Sequence, residues 1–394
     1  MRNHHARCLA ASSLLWLAAA GTAGAQEPLR DVLAFLLTNQ SIPTEDFVKD
    51  EESARITSDA IGTLLLAELT TLPLSSSSAG FVYRLNPALG TIERASEGFG
   101  PFFTERSLTV GRGLASFGVS ARLSSFSGLD GYDLDDGSLI TTANQFTDEP
   151  APFDEEALRL NLDSRTLTFS GDYGVTDWLD VGLAIPIVRV SFDGTRTNTY
   201  RGAALLQASA TANASGLGDV AFRAKLRLFD AMQGGMALLG ELRLPTGREE
   251  DLLGAGATAY RAMAIGSFEP GRLAAHFNAG AGWGGVANEL HYRAALGVSL
   301  TPRVTLVGEA LGRRLSGLGE LAVERAPHPS IGGVDTLRLV TSGDSTHTAS
   351  GLAGVKWNVT GTWLLNGSVA MPLTDRGLRP SATLLVGLDY GFGF

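Results

Sequence analysis

The chain has 394 residues, with 48 glycines, 8% aromatic residues and a formal net charge of −10. A phosphate backbone needs a basic face, so this balance argues against nucleic acid as a partner. No stretch reaches the roughly 18 consecutive apolar residues of a membrane-spanning helix, so a chain of this kind crosses a bilayer only as a closed β-barrel.

Residues 1–25 read as a secretory signal: Arg2 and Arg7 open it, Leu9 to Ala20 is its short apolar core, and Ala23-Gly24-Ala25 places cleavage before Gln26. Cys8, the one cysteine, falls inside this signal, so the processed chain is expected to carry no disulfide and no thiolate metal site. Residues 26–104 are expected to be partly helical. Leu29, Val32, Leu33, Leu36 and Leu37 recur at helical spacing, and so do Ile61, Leu64, Leu65, Leu69 and Leu72. Pro73 and Ser75 to Ser78 end the second helix, and a hairpin follows, Phe81 to Leu85 out and Thr91 to Arg94 back, turning at Asn86-Pro87. This region reads as a periplasmic or plug-like segment, with a small separate domain as the alternative.

From about residue 113 onward the pattern has period two, which predicts that residues 105–394 form an all-β, antiparallel transmembrane barrel of about 12 strands following a partly helical N-terminal segment. The strands fall at about 114–126, 158–173, 179–192, 217–229, 235–246, 257–268, 272–284, 288–300, 303–315, 348–359, 362–372 and 380–394. Short turns alternate with long connections such as 127–157, 194–216 and 316–347, the asymmetry of periplasmic turns and outer loops.

The alternation sorts side chains to two faces. Val220, Phe222, Ala224, Leu226 and Leu228 share one face, while Arg223, Lys225 and Arg227 share the other. Three successive inward cations are costly in an apolar core and natural in a wet lumen. The candidate lumen residues are Arg223, Lys225, Arg227, Glu241, Arg243, His276, Asn278, Glu289, His291 and Arg293, with Arg122, Arg189, Glu309 and Lys356 also assigned inward. They form either a weakly anion-selective wall or a structural network in which Glu241 pairs with its arginines. The apolar phase inverts near Asp163 to Arg165 and again at Pro186, where a bulge is expected. Tyr173, Trp178, Trp283, Trp357 and Trp363 fit interfacial girdles. The competing reading of all this is a soluble sandwich with its charged face in water.

No catalytic, cofactor or metal site emerges. Asp130, Asp133, Asp135 and Asp136 lack EF-hand spacing and read as a solvated loop. A turn near Gly285 to Ala287 sets His291 opposite about Ala281, too far from His276 to share a metal. A hydrolase site from His276, Asn278 and Ser299 lacks fixed geometry, and Gly216-Leu217-Gly218 precedes a strand rather than the helix of a phosphate loop.

The ending Leu388-Asp389-Tyr390-Gly391-Phe392-Gly393-Phe394 resembles the C-terminal signal that outer-membrane barrels present to their assembly machinery, with Tyr390, Phe392 and Phe394 as its aromatic positions. Ser215-Gly216-Leu217-Gly218-Asp219-Val220, Leu244-Pro245-Thr246-Gly247 and Val175 to Gly182 resemble the outer-membrane family named after the meta pathway of phenol degradation, over roughly residues 165 to 394. The resemblance implies a transporter-like barrel in the bacterial outer membrane, partnered by lipid and the assembly machinery, passing small hydrophobic or anionic solutes without catalysis. The alternative is a non-conducting barrel acting through its long loops.

Overall fold

The computed structural model describes residues 27–40, 49–77, 80, 82–86, 91–231 and 233–392. The expected signal and Phe394 lie outside the described residues. Among the described residues two helices come first, α1 (Leu29–Thr38) and α2 (Glu51–Thr70). The side chain of Asp50 caps α2, accepting from the Ser53 backbone N–H at 3.0 Å. Strands β1 (Tyr83–Asn86) and β2 (Thr91–Arg94) form the expected hairpin.

The remaining strands are β3 (Ala115–Leu129), β4 (Tyr132–Asp133), β5 (Leu139–Phe146), β6 (Asp154–Gly174), β7 (Leu179–Tyr200), β8 (Ala203–Leu217), β9 (Val220–Ala231), β10 (Gly234–Leu244), β11 (Ala259–Phe268), β12 (Leu273–Gly284), β13 (Asn288–Thr301), β14 (Val304–Ser316), β15 (Glu320–Pro327), β16 (Val334–Ser342), β17 (Ser345–Asn358), β18 (Trp363–Pro372) and β19 (Leu378–Phe392). Twelve of them, β3, β6, β7, β9 to β14 and β17 to β19, close an antiparallel barrel, with β19 pairing back onto β3. The long connections are not irregular: β4, β5, β8, β15 and β16 pair with the barrel strands or each other and raise the wall at the long-loop end.

The outward face is apolar. In β13, Leu290, Tyr292, Leu296, Val298 and Leu300 are all exposed, Leu296 to 66%. Leu290 to Leu300 spans about 33 Å along the strand at about 3.3 Å per residue, or about 25 Å along the axis at a tilt near 40°. That is the height of the lipid-facing band of a membrane barrel. Aromatic residues gather at its edges. Tyr173, Trp178, Trp357 and Trp363 are exposed near the short turns, and Trp283 is exposed near the long loops, stacked on Tyr260.

The phase inversions have two different origins. In β6 and β7 the ladder runs from Asp154↔Tyr200 to Gly174↔Asp180 without a shift, so no bulge exists at Pro186. The strands continue unbroken while their surroundings change. Toward the short turns, Leu167, Phe169, Leu183 and Ile187 face out; toward the long loops, Leu158, Leu160, Leu162, Val190 and Phe192 face in and are buried. They pack on Leu29, Leu33, Leu36, Ile61, Leu64 and Leu65 of the two helices. The wall therefore turns its oily side outward where lipid lies and inward where helices lie. This also corrects Arg189, which points outward and is exposed. The true irregularity sits on the neighbouring strand. The β7 ladder passes from Ile187↔Leu217 to Ala184↔Ala221, leaving one extra residue between β8 and β9 at Gly218 to Val220, across from Pro186.

Candidate functional site

The ten candidate lumen residues project inward; five of them, Arg223, Lys225, Arg243, Asn278 and Arg293, meet the chain's own N-terminal segment, and the others pair with neighbours on the wall. From α2 the chain descends through the barrel, and each level of the wall holds it by main-chain groups. Arg261 donates to the Thr71 carbonyl at 2.9 Å, Arg243 to Leu72 at 3.2 Å, Arg122 to Pro73, and Arg223 to Ser75 at 2.6 Å. Lys225 reaches Ser77 Oγ at 3.1 Å, with Glu105 and Asp180 at 3.7 and 3.9 Å. A second pass, residues 95–113, runs beside the first. Glu309 accepts the backbone N–H groups of Phe102, Phe103 and Thr104, the last at 2.8 Å. Arg293 donates to the Phe103 carbonyl at 2.7 Å and Lys356 to Pro101 at 3.0 Å, while Asn278 both accepts from the Glu105 N–H and donates to its carbonyl. The Phe102 and Phe103 rings lie against Lys356 and Arg122.

An extended segment inside a lumen has no ladder partner, so its carbonyls and amides must be met by side chains. The arginines supply forked donors and Glu309 a two-oxygen acceptor, which is why charged residues of both signs line the wall. Glu241 takes Arg223 at 3.0 Å, Arg243 at 2.7 Å and Arg261 at 3.5 Å, the pairing network named as the structural alternative to an ion-selective wall. Arg227 pairs with Asp230 at 3.4 Å near the short turns. His276 meets Ser267 at 2.9 Å, and His291 lies 3.5 Å from Glu289. The expected register at the histidines is off by one: His291 faces Gly280, and His276 faces Ala295. The two histidines are not brought together.

The long-loop end carries holding residues whose role the sequence did not show. Lys49, between the helices, enters a buried cluster with Glu156 and with Asp154 at 3.6 Å, and Arg196 joins it while donating to the carbonyls of Leu37 and Asn39. Glu156 and Arg196 lie beyond the expected strand limits, in the connections 127–157 and 194–216, which the structure instead builds as continuations of β6 and β7. Asp130 of the acidic loop accepts from the N–H groups of Gly377 and Leu321, at 2.6 and 2.8 Å, and so ties three connections together. Asp133 and Asp136 accept the N–H two residues on, capping their own turns. At the C-terminal signal, the Tyr390 ring lies 4.6 Å from Trp363. Phe392 pairs with Ala115, while Phe394 is outside the described residues.

Beside the plug lies a cavity of about 140 Å³, lined by apolar side chains such as Phe103, Phe126 and Leu311 and also by charged ones such as Arg122, Arg293 and Arg313. It reaches a fork in the wall. The β18–β19 ladder stops at Ala370↔Thr383, after which β18 follows β17 to Pro372 and β19 follows β3 through a bulge at Pro380. Each arm carries a proline that cannot donate to a ladder.

The motifs read from the sequence also meet in space. Asp219 accepts the N–H groups of Gly247 and Ala255, at 3.1 and 2.8 Å, and Thr246 Oγ1 donates to the Gly218 carbonyl at 2.6 Å. The bulge between β8 and β9 is thus stapled to the turn after β10. Residues 153–319 match the family described as "Putative MetA-pathway of phenol degradation". All three internal motifs lie in that stretch, which starts earlier and stops sooner than the 165–394 of the sequence resemblance. No curated protein matches the chain by sequence. Among solved structures, an outer-membrane channel from Pseudomonas putida F1 is similar with a TM-score of 0.47 and 14% identity, over 73% of this chain and 98% of that one. The translocator domain of the autotransporter NalP from Neisseria meningitidis gives a TM-score of 0.37 at 11% identity, covering 72% and 89% of the two chains. The Ralstonia pickettii toluene transporter TbuX gives 0.30 at 9%, covering 73% and 91%. At these levels nothing about solute or mechanism transfers.

Proposed function

We propose that the protein is a bacterial outer-membrane channel for passive passage of small, largely apolar organic solutes, with its bore occupied by residues 71–77 and 95–113 so that ions do not pass freely. On this reading the short turns face the periplasm and the long loops face outward. The observation that carries it is the cavity between plug and wall at the β18–β19 fork. Its volume of about 140 Å³ compares with the roughly 150 Å³ of an apolar cavity that takes up benzene. The family description, which names phenol degradation, supports the same class of solute. The ten inward residues are proposed to line the lumen by holding the plug, not by selecting ions.

A non-conducting barrel that acts through its loops is the second reading, favoured by the filled lumen. Uptake of radiolabelled phenol by cells expressing the chain separates the two. Channel function predicts uptake above background and its loss in Leu311→Trp, which fills the cavity from β14. Background uptake by the wild type, correctly inserted, would contradict the proposal.

A further inference from the structure

Arg165 on β6 and Arg189 on β7 are directly opposite one another in the ladder, on the outer face, and both are exposed. Among the described residues neither forms an ion pair or a side-chain hydrogen bond. Like charges placed directly across a ladder repel, with side-chain origins about 5 Å apart, so the pair is unfavourable unless something anionic lies between the two guanidinium groups. Asp163 shares the face two residues along β6 but makes no ion pair with either arginine.

The register fixes the level at which this pair sits. One row toward the short turns, the outward residues on β3, β6, β7 and β8 are Ala121, Leu167, Ile187 and Leu217. One row toward the long loops they are Ser125, Asp163, Ser191 and Asn213. The arginines therefore mark the line where the oily belt ends, the depth of lipid headgroups. Two planar forks about 5 Å apart at the root suit a phosphate, whose oxygens accept paired N–H bonds from both sides.

We propose that Arg165 and Arg189 together bind the phosphate of a membrane lipid headgroup at the outer rim of the barrel. The proposal rests on the reading of the barrel as membrane-spanning. The phosphate cancels the repulsion built into the ladder, so lipid binding and barrel stability are coupled.

The test is native mass spectrometry of the full chain released from zwitterionic detergent, after incubation with diphosphorylated lipid A, with its dephosphorylated form, or with inorganic phosphate. The wild type is expected to retain diphosphorylated lipid A, and Arg165→Gln/Arg189→Gln to retain it at least about tenfold more weakly. Arg159→Gln, six residues away on the same strand, serves as a control and is expected to match the wild type. Without lipid the double variant is expected to resist urea at least as well as the wild type, and with lipid A the order reverses. Equal lipid retention by wild type and double variant, both folded and inserted, overturns the proposal while leaving the channel reading intact. Equal competition by inorganic phosphate overturns the lipid as the source of the anion. Failure of the wild type to insert would instead strike at the membrane-spanning reading.

Discussion

Replacing Glu309 by alanine removes the acceptor for three consecutive main-chain amides, Phe102, Phe103 and Thr104, and for the Thr104 hydroxyl at 2.8 Å. A buried amide left without a partner costs about 1–3 kcal/mol. Water entering the vacated space would satisfy part of that need, so the lower end applies, about 1 kcal/mol per amide. The plug should then be held less tightly by about 3 kcal/mol, which raises the population of its detached form roughly a hundredfold. Single-channel recording in a planar bilayer reads this directly: the wild type should show rare ion-conducting events, and Glu309→Ala should show them far more often. Glu309→Gln keeps an acceptor oxygen and should fall between the two. An unchanged event frequency, with unchanged protease sensitivity of residues 95–113, would refute the idea that this carboxylate anchors the plug.

Other parts of the structure make separate demands. Lys225→Met leaves Glu105 and Asp180, at 3.7 and 3.9 Å from the ammonium, without that cation, and should cost about 3–5 kcal/mol in denaturant titration. Leu296→Arg, at an outward site 66% exposed, should destabilise the barrel in lipid by about 2–4 kcal/mol. Leu160→Ala, in the cap over the helices, should cost about 2–5 kcal/mol in lipid and in detergent alike. Burial pushes the Asp50 carboxyl up, but the Ser53 hydroxyl and N–H, with Thr336 and His328 beside them, outweigh it and hold the carboxyl below its ordinary range. A lowered native pKa stabilises above the unfolded value near 4 and is lost as the pH falls through the native one. Acid titration of α2 should therefore show a loss below about pH 4 that Asp50→Asn abolishes, and equal acid profiles would contradict it.

The strand pattern was legible because lipid outside and polar groups inside impose period two on every barrel strand. The helices were legible because Leu29 to Leu37 and Ile61 to Leu72 repeat at helical spacing. Val188 to Phe192 and Leu158 to Leu162 misled for a physical reason: an inverted apolar phase arises equally from an extra residue in the strand or from a change in what the strand faces. Alternation alone cannot separate these, and the true bulge at Gly218 to Val220 lay on the partner strand. The direction of Arg223, Lys225, Arg243 and Glu309 could be read from their spacing. Their partners could not, because carbonyls and amides of residues 71–105 carry no side-chain signature. Glu156 and Arg196 escaped notice because the connections containing them were read as loops, and Asp130 was read as part of a solvated loop although it is buried and accepts two main-chain N–H bonds.

The claim on which the rest depends is that the N-terminal segment occupies the bore, and a cross-link tests it most directly. An ideal Cβ built at Gly98 lies 2.8 Å from Ser299 Oγ on β13, within the reach of a disulfide. Gly98→Cys/Ser299→Cys, expressed with its predicted signal into an oxidising compartment, should form that intramolecular bond in the assembled barrel, and conducting events should disappear until it is reduced. Free thiols at both positions in a folded, inserted barrel would place residue 98 outside the lumen and contradict the account.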